Sequence, residues 1–143
     1  MAIISGSCVC GAVEFSVQDK FIYSGYCHCS MCRKSSGASG TAIGGIPKEH
    51  FSVTTGEEHV KRFSRSKESV SCFCTNCGST LYGEKPATAM VHVRYGALNS
   101  SPTLLPQAHM HVSSKADWYE ILDELPQFSE FPPGAVPVES DVR

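Results

Sequence analysis

The sequence has no excess of positive charge and no long apolar run. Its 143 residues carry 12 Lys and Arg against 14 Asp and Glu, which gives a formal net charge of −2. A general nucleic-acid binder, or a protein held on an anionic membrane, needs a clear basic excess. A membrane-spanning helix needs about 20 consecutive apolar residues. We therefore expect neither a nucleic-acid partner nor a membrane partner.

A secretion signal is also missing from the start, which reads Met1-Ala2-Ile3-Ile4-Ser5-Gly6. A signal peptide would have a basic start and a longer apolar stretch. We therefore expect a cytoplasmic protein, whose thiols stay reduced. The eight cysteines could in principle pair as disulfides, but the expected compartment favours metal ligation.

The composition is that of an ordinary globular domain, with 41% hydrophobic and 18% charged residues. This length predicts one domain with a real core. We place that domain at residues 1–128. A tail over residues 129–143 follows, in which Pro132, Pro133 and Pro137 break regular structure.

Short segments of alternating hydrophobicity predict a mainly β fold. Residues 33–40 read as a Ser- and Gly-rich loop. Helical spacing is found only in Asp117–Leu125, so we expect at most one short helix, near the C-terminus, with Trp118 in the core. The predicted strands are Ile3–Ser7, Ala12–Val17, Phe21–Tyr26, Thr41–Ile46, Phe51–Thr55, Val60–Phe63, Ser69–Phe73, Ser79–Tyr82, Met90–Tyr95 and His109–Val112.

The cysteines form three tight clusters, and this spacing suits thiolates that converge on a metal ion. Cys8 and Cys10 lie in a predicted hairpin turn, and Cys74 and Cys77 lie in a turn followed by Gly78. Each pair supplies two ligands, whereas a structural zinc takes four in a tetrahedron. We therefore predict that Cys8, Cys10, Cys74 and Cys77 bind one structural zinc ion.

The remaining cluster, Cys27, Cys29 and Cys32, supplies three thiolates within six residues. Three protein ligands with an exchangeable fourth position are typical of catalytic zinc. Cys72 could fill that fourth position, join the other site, or remain a buried thiol. We favour the buried thiol because free cysteine often behaves as a small hydrophobic residue.

Several other residues are candidates for the second site. His28 lies inside the cluster and could shuttle a proton, or it could simply point into solvent. Arg33 and Lys34 could bind the carboxylates of a thiol substrate, or belong to a solvated loop. We expect His92, within a predicted strand, to be a sheet histidine.

Three motifs of this chain resemble the glutathione-dependent formaldehyde-activating enzyme family, also called the centromere-protein-V/GFA family. Weaker similarity at Gly96-Ala97-Leu98-Asn99, His109 and Trp118 extends the resemblance from about Ser5 to Phe128. The motifs are Gly6-Ser7-Cys8-Val9-Cys10-Gly11-Ala12-Val13, Cys27-His28-Cys29-Ser30-Met31-Cys32-Arg33 and Phe73-Cys74-Thr75-Asn76-Cys77-Gly78.

The resemblance implies a mainly β fold with several small antiparallel sheets organised around cysteine-ligated zinc, and it implies two zinc ions. One would be structural, on Cys8, Cys10, Cys74 and Cys77, and a second, on Cys27, Cys29 and Cys32, would bind the substrate thiol. The family reaction joins glutathione to formaldehyde, which is carbon–sulfur lyase chemistry. The implied partners are therefore a small thiol and a small aldehyde.

Two other functions are compatible with the same cysteines. A zinc-stabilised interaction module without catalysis would have both metal sites closed, the second one by Cys72. A thiol redox protein would cycle a Cys-x2-Cys pair, which zinc ligation would prevent. The coordination of the second metal ion separates these hypotheses.

Overall fold

Alternating apolar side chains build two β-sheets in the computed structural model, which describes residues 2–131. The predicted tail over residues 129–143 lies outside the described residues from Pro132 onward. Within the described part, the strands in chain order are β1 Ile3–Ser7, β2 Glu14–Gln18, β3 Tyr23–Cys27, β4 Thr41–Pro47, β5 Phe51–Thr55, β6 Val60–Ser66, β7 Ser69–Cys74, β8 Thr80–Lys85, β9 Met90–Arg94 and β10 His109–Met110.

The smaller sheet has the strand order β1-β2-β5, and the larger has the order β10-β3-β4-β9-β8-β7-β6. All neighbouring strands are antiparallel except β10 and β3, which pair in parallel through His109–Tyr26 and Met110–Cys27. Five short 3-10 segments occur in residues 2–131, at Lys48–His50, Glu57–His59, Pro86–Thr88, Tyr95–Ala97 and Val112–Ser114. The mainly β prediction is confirmed, although the described residues form two sheets rather than several small ones, and the larger sheet has seven strands.

The hydrophobic core lies between the two sheets. Phe15 and Phe51 of the smaller sheet pack with tilted rings whose centroids are 5.3 Å apart, and the ring centroids of Phe51 and Tyr82 of the larger sheet are 4.5 Å apart. Val91 and Val93 of β9 are buried in the same cluster. Each such side chain contributes about 1.5–3 kcal/mol through burial, so this cluster holds the sheets together.

The helix prediction was wrong in position. In the described residues the α-helix is α1, Ser30–Ser36, and its second half overlaps the segment 33–40 that we expected to form a loop. The Cys29 side chain caps its first turn by accepting from the Cys32 N–H, and Gly37 ends it in the left-handed conformation with φ 70°. Arg33 and Lys34 in the last turn complement the helix dipole. These capping interactions explain a helix that the Ser- and Gly-rich composition conceals.

Residues 117–125 are not helical, and Trp118 is 74% exposed rather than in the core. Around this segment, side chains form hydrogen bonds with backbone groups that would bond to one another in a helix. The Asp123 carboxylate accepts from the Leu125 N–H at 2.9 Å, and the Lys115 ammonium donates to the Ala116 and Tyr119 carbonyls.

Strand β10 is shorter than predicted. His111 has a left-handed backbone with φ 56°, which breaks the extended conformation after Met110. His92 bonds through Nε2 to the Tyr23 hydroxyl across the sheet, as expected of a sheet histidine. None of the helices in residues 2–131 has the length and hydropathy needed to cross a membrane.

Candidate metal centre

The first cysteine cluster is built from two matching turns. After β1, the Gly11 N–H donates to the Cys8 carbonyl at 3.1 Å, and Gly11 takes φ 79°. After β7, the Gly78 N–H donates to the Cys74 carbonyl at 2.8 Å, and Gly78 takes φ 80°. Glycine adopts this left-handed conformation without steric cost, and each turn directs two thiols to the same place.

The four sulfur atoms of Cys8, Cys10, Cys74 and Cys77 lie within 4.8 Å of one another. The Cys8–Cys10 and Cys10–Cys74 sulfur distances are 3.5 Å and 3.8 Å. A regular tetrahedron with Zn–S bonds of about 2.3 Å has edges of about 3.8 Å. The four thiols therefore fit the donor set and the size of a structural zinc site.

Hydrogen-bond donors surround these sulfurs. The Val13 N–H donates to Cys8 Sγ at 3.2 Å, and the Ser79 hydroxyl lies 3.1 Å from Cys77 Sγ. The pKa of Cys77 is lowered to about 5, mainly by the hydrogen bond from Ser79. The pKa of Cys10 is also lowered, mainly by a hydrogen bond from Asn76. Thiolates are the species that bind metal, so these donors favour the ligand form of Cys10 and Cys77, whereas burial raises the pKa of Cys74 to about 11.

The second cluster lies where β3 meets α1. Cys27 ends the strand, Cys29 caps the helix, and Cys32 lies in its first turn, so three sulfurs come within 4.8 Å of one another. All three cysteines are buried. The donor set is again one that zinc prefers, but it supplies three ligands and leaves a tetrahedral ion one position to fill.

Two arginines that the sequence analysis missed lie beside this second cluster. Arg65 of β6 donates from Nη2 towards Cys29 Sγ at 3.9 Å, and Arg94 at the end of β9 donates to the Ser35 hydroxyl at 3.4 Å. The pKa of Cys32 is held well below its usual range, first by hydrogen bonds from Cys27 and Cys29 and then by these two charges. The pKa values of Cys27 and Cys29 are raised, that of Cys27 mainly by the hydrogen bonds with its two neighbours in the trio. The second site is therefore strongly electropositive at its edge.

Cys72 belongs to neither group of sulfurs. It lies in the core between the sheets, on β7 opposite Arg62 of β6, and is fully buried. Burial, followed by the charge of Glu84, raises the pKa of its thiol to about 12. Its surroundings are those of a neutral buried thiol, not of a fourth zinc ligand. All eight cysteines are free thiols in the structure.

His28 is 2% exposed. The alternative that its side chain points into solvent is therefore wrong. His28 Nε2 lies 2.8 Å from Nδ1 of His109, and His109 Nε2 lies 3.0 Å from the Asp123 carboxylate. Burial, followed by the charge of His109, lowers the pKa of His28. The three side chains form a continuous hydrogen-bonded chain, in which Asp123 fixes His109 and His109 fixes His28.

A cavity of about 260 Å³ opens beside this hydrogen-bonded chain. Tyr119 stacks on His28, and Tyr26 stacks on His109, so aromatic rings and a carboxylate border it. The lining residues are Tyr26, His28, Ser39, Gly40, Ala42, His109, Tyr119 and Asp123. The cavity has room for a small organic group next to the Cys27–Cys29 segment.

Arg33 and Lys34 both belong to α1, the helix that carries Cys32; Arg33 is half-buried there and Lys34 is exposed.

The sequence analysis missed three residues near the second cluster. Arg94 could have been noticed, because it interrupts the apolar pattern of Met90–Tyr95. Arg65 and Asp123 had no such signal, since the three-dimensional fold alone brings them to the site.

Comparison with known proteins agrees with these structural features. The sequence profile described as "GFA: Glutathione-dependent formaldehyde-activating enzyme" matches residues 3–114. A Halomonas elongata protein named as a candidate enzyme of this type is 32% identical over 127 residues, which cover 83% of this chain and 81% of that protein.

A Fusarium vanettenii protein with the same name is 30% identical over 128 residues, or 87% of this chain, and the chain spans 58% of that relative. A crystal structure of a Rhodobacter sphaeroides protein shares the fold, with a TM-score of 0.58 and 24% identity over 71% of this chain and 97% of the other. The profile match covers most of the chain, which therefore belongs to the glutathione-dependent formaldehyde-activating enzyme family.

Proposed function

We propose that this protein is a zinc-dependent carbon–sulfur lyase-type enzyme that adds a thiol such as glutathione to formaldehyde or a related small carbonyl, or runs the reverse reaction. The observation that carries this proposal is the buried trio Cys27, Cys29 and Cys32, which offers three thiols and no fourth. The relatives from Halomonas and Fusarium are named for glutathione and formaldehyde, which supports the substrate class.

The proposed cofactors are two zinc ions. Cys8, Cys10, Cys74 and Cys77 would hold a structural ion, and Cys27, Cys29 and Cys32 would hold a second, catalytic one. The second ion would lower the pKa of a coordinated thiol and fix its sulfur.

In the proposed reaction the thiol sulfur forms a bond to the carbonyl carbon, and the thiol proton goes to the carbonyl oxygen. The product is an S-hydroxymethyl thioether, and the reverse step breaks the same carbon–sulfur bond. The buried surroundings of Cys29 and Cys32 would exclude water from the reacting sulfur.

We also propose roles for three residues near the cluster. His28 would handle the proton, since His109 and Asp123 hold its ring beside the cavity. Arg33 and Lys34 on α1 would bind carboxylates of the thiol substrate. The cavity beside His28 would receive the small carbonyl.

The direct test measures thiol–formaldehyde exchange by NMR with zinc-loaded protein and several thiols, of which glutathione is one. We expect exchange faster than the uncatalysed rate, and a loss of that acceleration in Cys29→Ser. The matched control is Cys72→Ala, which removes a thiol outside both clusters and should retain the acceleration. A background rate with every thiol would contradict the proposal.

A second candidate function is a zinc-stabilised interaction module without catalysis. The observation in its favour is the exposure of Trp118 and Leu122, at 74% and 83%, because large exposed apolar side chains often mark contact surfaces. The position of Cys72 away from both clusters counts against it. Protein that binds two zinc ions yet never accelerates the exchange would favour the module.

A further inference from the structure

We propose that Cys10 and Cys77 are the peroxide-sensitive pair of this protein, in which oxidation joins the two sulfurs as a disulfide and releases the metal ion of the first cluster. The oxidant is hydrogen peroxide or a small organic hydroperoxide. The modification requires the structural zinc ion, but it requires neither the second ion nor the aldehyde chemistry. It is therefore independent of the lyase function.

Solvent exposure separates the sulfurs that a peroxide can reach from those that it cannot. Cys10 and Cys77 are exposed, and the other six cysteines are buried. Cys8 and Cys74, which complete the first cluster, are 5% and 0% exposed, and the three cysteines of the second cluster are buried as well. Oxidation of a cysteine depends on access to its sulfur. The reaction should therefore begin at the first cluster.

The two exposed cysteines lie in different turns, yet the fold brings their sulfurs together. The four sulfurs of the first cluster lie within 4.8 Å of one another. A disulfide requires a sulfur–sulfur distance of about 2.05 Å, so at least one side chain must move. Cys8 and Cys74 belong to the close-packed core, where such movement is costly. The exposed side chains of Cys10 and Cys77 are free of that restriction and form the favoured pair.

Ser79 connects the two turns without the metal ion. The Val9 N–H donates to the Ser79 hydroxyl at 3.1 Å, and the same hydroxyl lies 3.1 Å from Cys77 Sγ. Val9 directly precedes Cys10. The backbone of the first turn is thus joined to the sulfur of the second, and this contact would keep Cys10 and Cys77 adjacent as the metal ion leaves.

The reaction moves two electrons from the two thiolates to the O–O bond of the peroxide. With hydrogen peroxide, one thiolate attacks an oxygen atom, becomes a sulfenic acid and expels hydroxide. The other thiolate attacks the sulfenic sulfur, forms the S–S bond and expels a second hydroxide. Two protons from solvent convert the hydroxides to water. Cys8 and Cys74 then remain as two ligands, too few for a structural zinc site, so the ion dissociates.

The position of this disulfide determines what happens to the fold. A Cys10–Cys77 bond joins the turn of the smaller sheet to the turn of the larger one, as the zinc ion would before oxidation. A disulfide within one turn, Cys8–Cys10 or Cys74–Cys77, would leave the sheets unconnected there. A bond that closes a long loop restricts the unfolded chain. We therefore expect the oxidised, zinc-free first site to leave the protein folded.

The experiment treats zinc-loaded protein with one equivalent of hydrogen peroxide, beside an untreated sample. A colorimetric chelator measures released zinc, peptide mass spectrometry locates the disulfide, and circular dichroism monitors the fold. We expect release of one zinc ion per chain, a Cys10–Cys77 disulfide as the main product, reduced cysteines in the second cluster and an unchanged spectrum. Dithiothreitol followed by zinc should restore the starting metal content.

Ser79→Ala tests the contact between the turns. The variant should still bind zinc, because Ser79 is not a ligand, but the Cys10–Cys77 disulfide should no longer be its main product. The matched control is Ser52→Ala, which removes a hydroxyl from an exposed residue of β5 and should give the disulfide of the parent protein. If Ser79→Ala does not fold, the disulfide of the parent protein decides the test alone.

Three results would overturn the inference. They are oxidation of the second cluster before the first, a main disulfide confined to one turn, and a first cluster that binds no zinc before treatment. An unchanged main disulfide in Ser79→Ala would overturn the part assigned to Ser79. Failure of the thiol–formaldehyde test would refute the lyase function and alter none of these outcomes, since none of them measures catalysis.

Discussion

At the scale of single residues, surroundings separate cysteines that look alike in the sequence. Cys72 and Cys74 are two residues apart on β7, yet Cys74 joins a sulfur cluster while Cys72 lies in the core. The register shift between Cys72 and Phe73 in the pairing with β8 breaks the regular alternation there. Spacing alone left Cys72 with three roles, and the structure supports the buried thiol.

We predict that Cys72→Ala leaves two zinc ions bound and lowers the free energy of unfolding by about 1–2 kcal/mol, because it leaves a small cavity in the core. The measurements are metal analysis and urea denaturation at neutral pH. A loss of one zinc ion would show that Cys72 is a ligand after all.

The same substitution should change the pH dependence of stability. Burial raises the pKa of Cys72 to about 12 from an ordinary value of 9.0. The neutral thiol therefore stabilises the folded state fully below about pH 9, and this contribution falls as the pH rises towards about 12. Urea denaturation across this range should show a steeper loss for the parent protein than for Cys72→Ala, and parallel curves would contradict the expectation.

At the scale of elements, the helix α1 and the segment after β10 complete the second site. The sequence predicted the strands well because period-two alternation follows from one buried face, and β1 and β5 have the predicted bounds. It misplaced the helix because a seven-residue helix capped by a cysteine thiol carries no apolar periodicity. It also missed Asp123, which lies near His109 because the chain that follows it pairs back with β10 through a bridge between His109 and Gln127.

We predict that Asp123→Asn slows the proposed reaction about 10-fold, on the scale known for groups that orient a functional histidine. The change keeps the size of the side chain but removes the negative charge that holds His109, and through it His28. Steady-state kinetics should show the loss mainly in kcat. The control is Glu124→Gln, which changes the neighbouring exposed residue and should behave like the parent protein. An equal effect of both substitutions would mean that overall charge, not the contact with His109, is responsible.

Gly40, which directly precedes β4, provides another prediction about an element. A Cβ on this residue would lie 2.7 Å from the Cys27 carbonyl and 3.2 Å from His28 Nδ1. Gly40→Ala should therefore push β4 away from the second cluster and cost about 1–3 kcal/mol of stability. Thermal denaturation measures the cost, and metal analysis should show weaker binding of one of the two ions. Gly96→Ala, where the added Cβ meets no atom within 4 Å, should change neither quantity.

At the scale of the whole molecule, the two cysteine clusters connect different parts of the fold. Cys8 and Cys10 follow β1 of the smaller sheet, whereas Cys74 ends β7 of the larger one and Cys77 follows it. A metal ion on all four would join the two sheets at the end of the core. The second cluster instead joins β3 to α1, within a short stretch of chain. The spacing of the cysteines in the sequence predicted both groupings, but the charged residues around them could be identified only from the fold.

This difference predicts unequal consequences of losing each metal site. Cys74→Ser should cost several kcal/mol, because structural zinc contributes about 10–16 kcal/mol of apparent binding free energy in small domains, and the two sheets would then depend on apolar contacts alone. Cys29→Ser should cost less than about 1 kcal/mol, since serine is itself a good N-cap for α1 and the first site stays intact. Metal analysis should find one zinc ion in Cys29→Ser, while chemical denaturation measures both costs. Equal destabilisation by the two substitutions would mean that both sites hold the fold together, and would remove the ground for assigning the second one to catalysis.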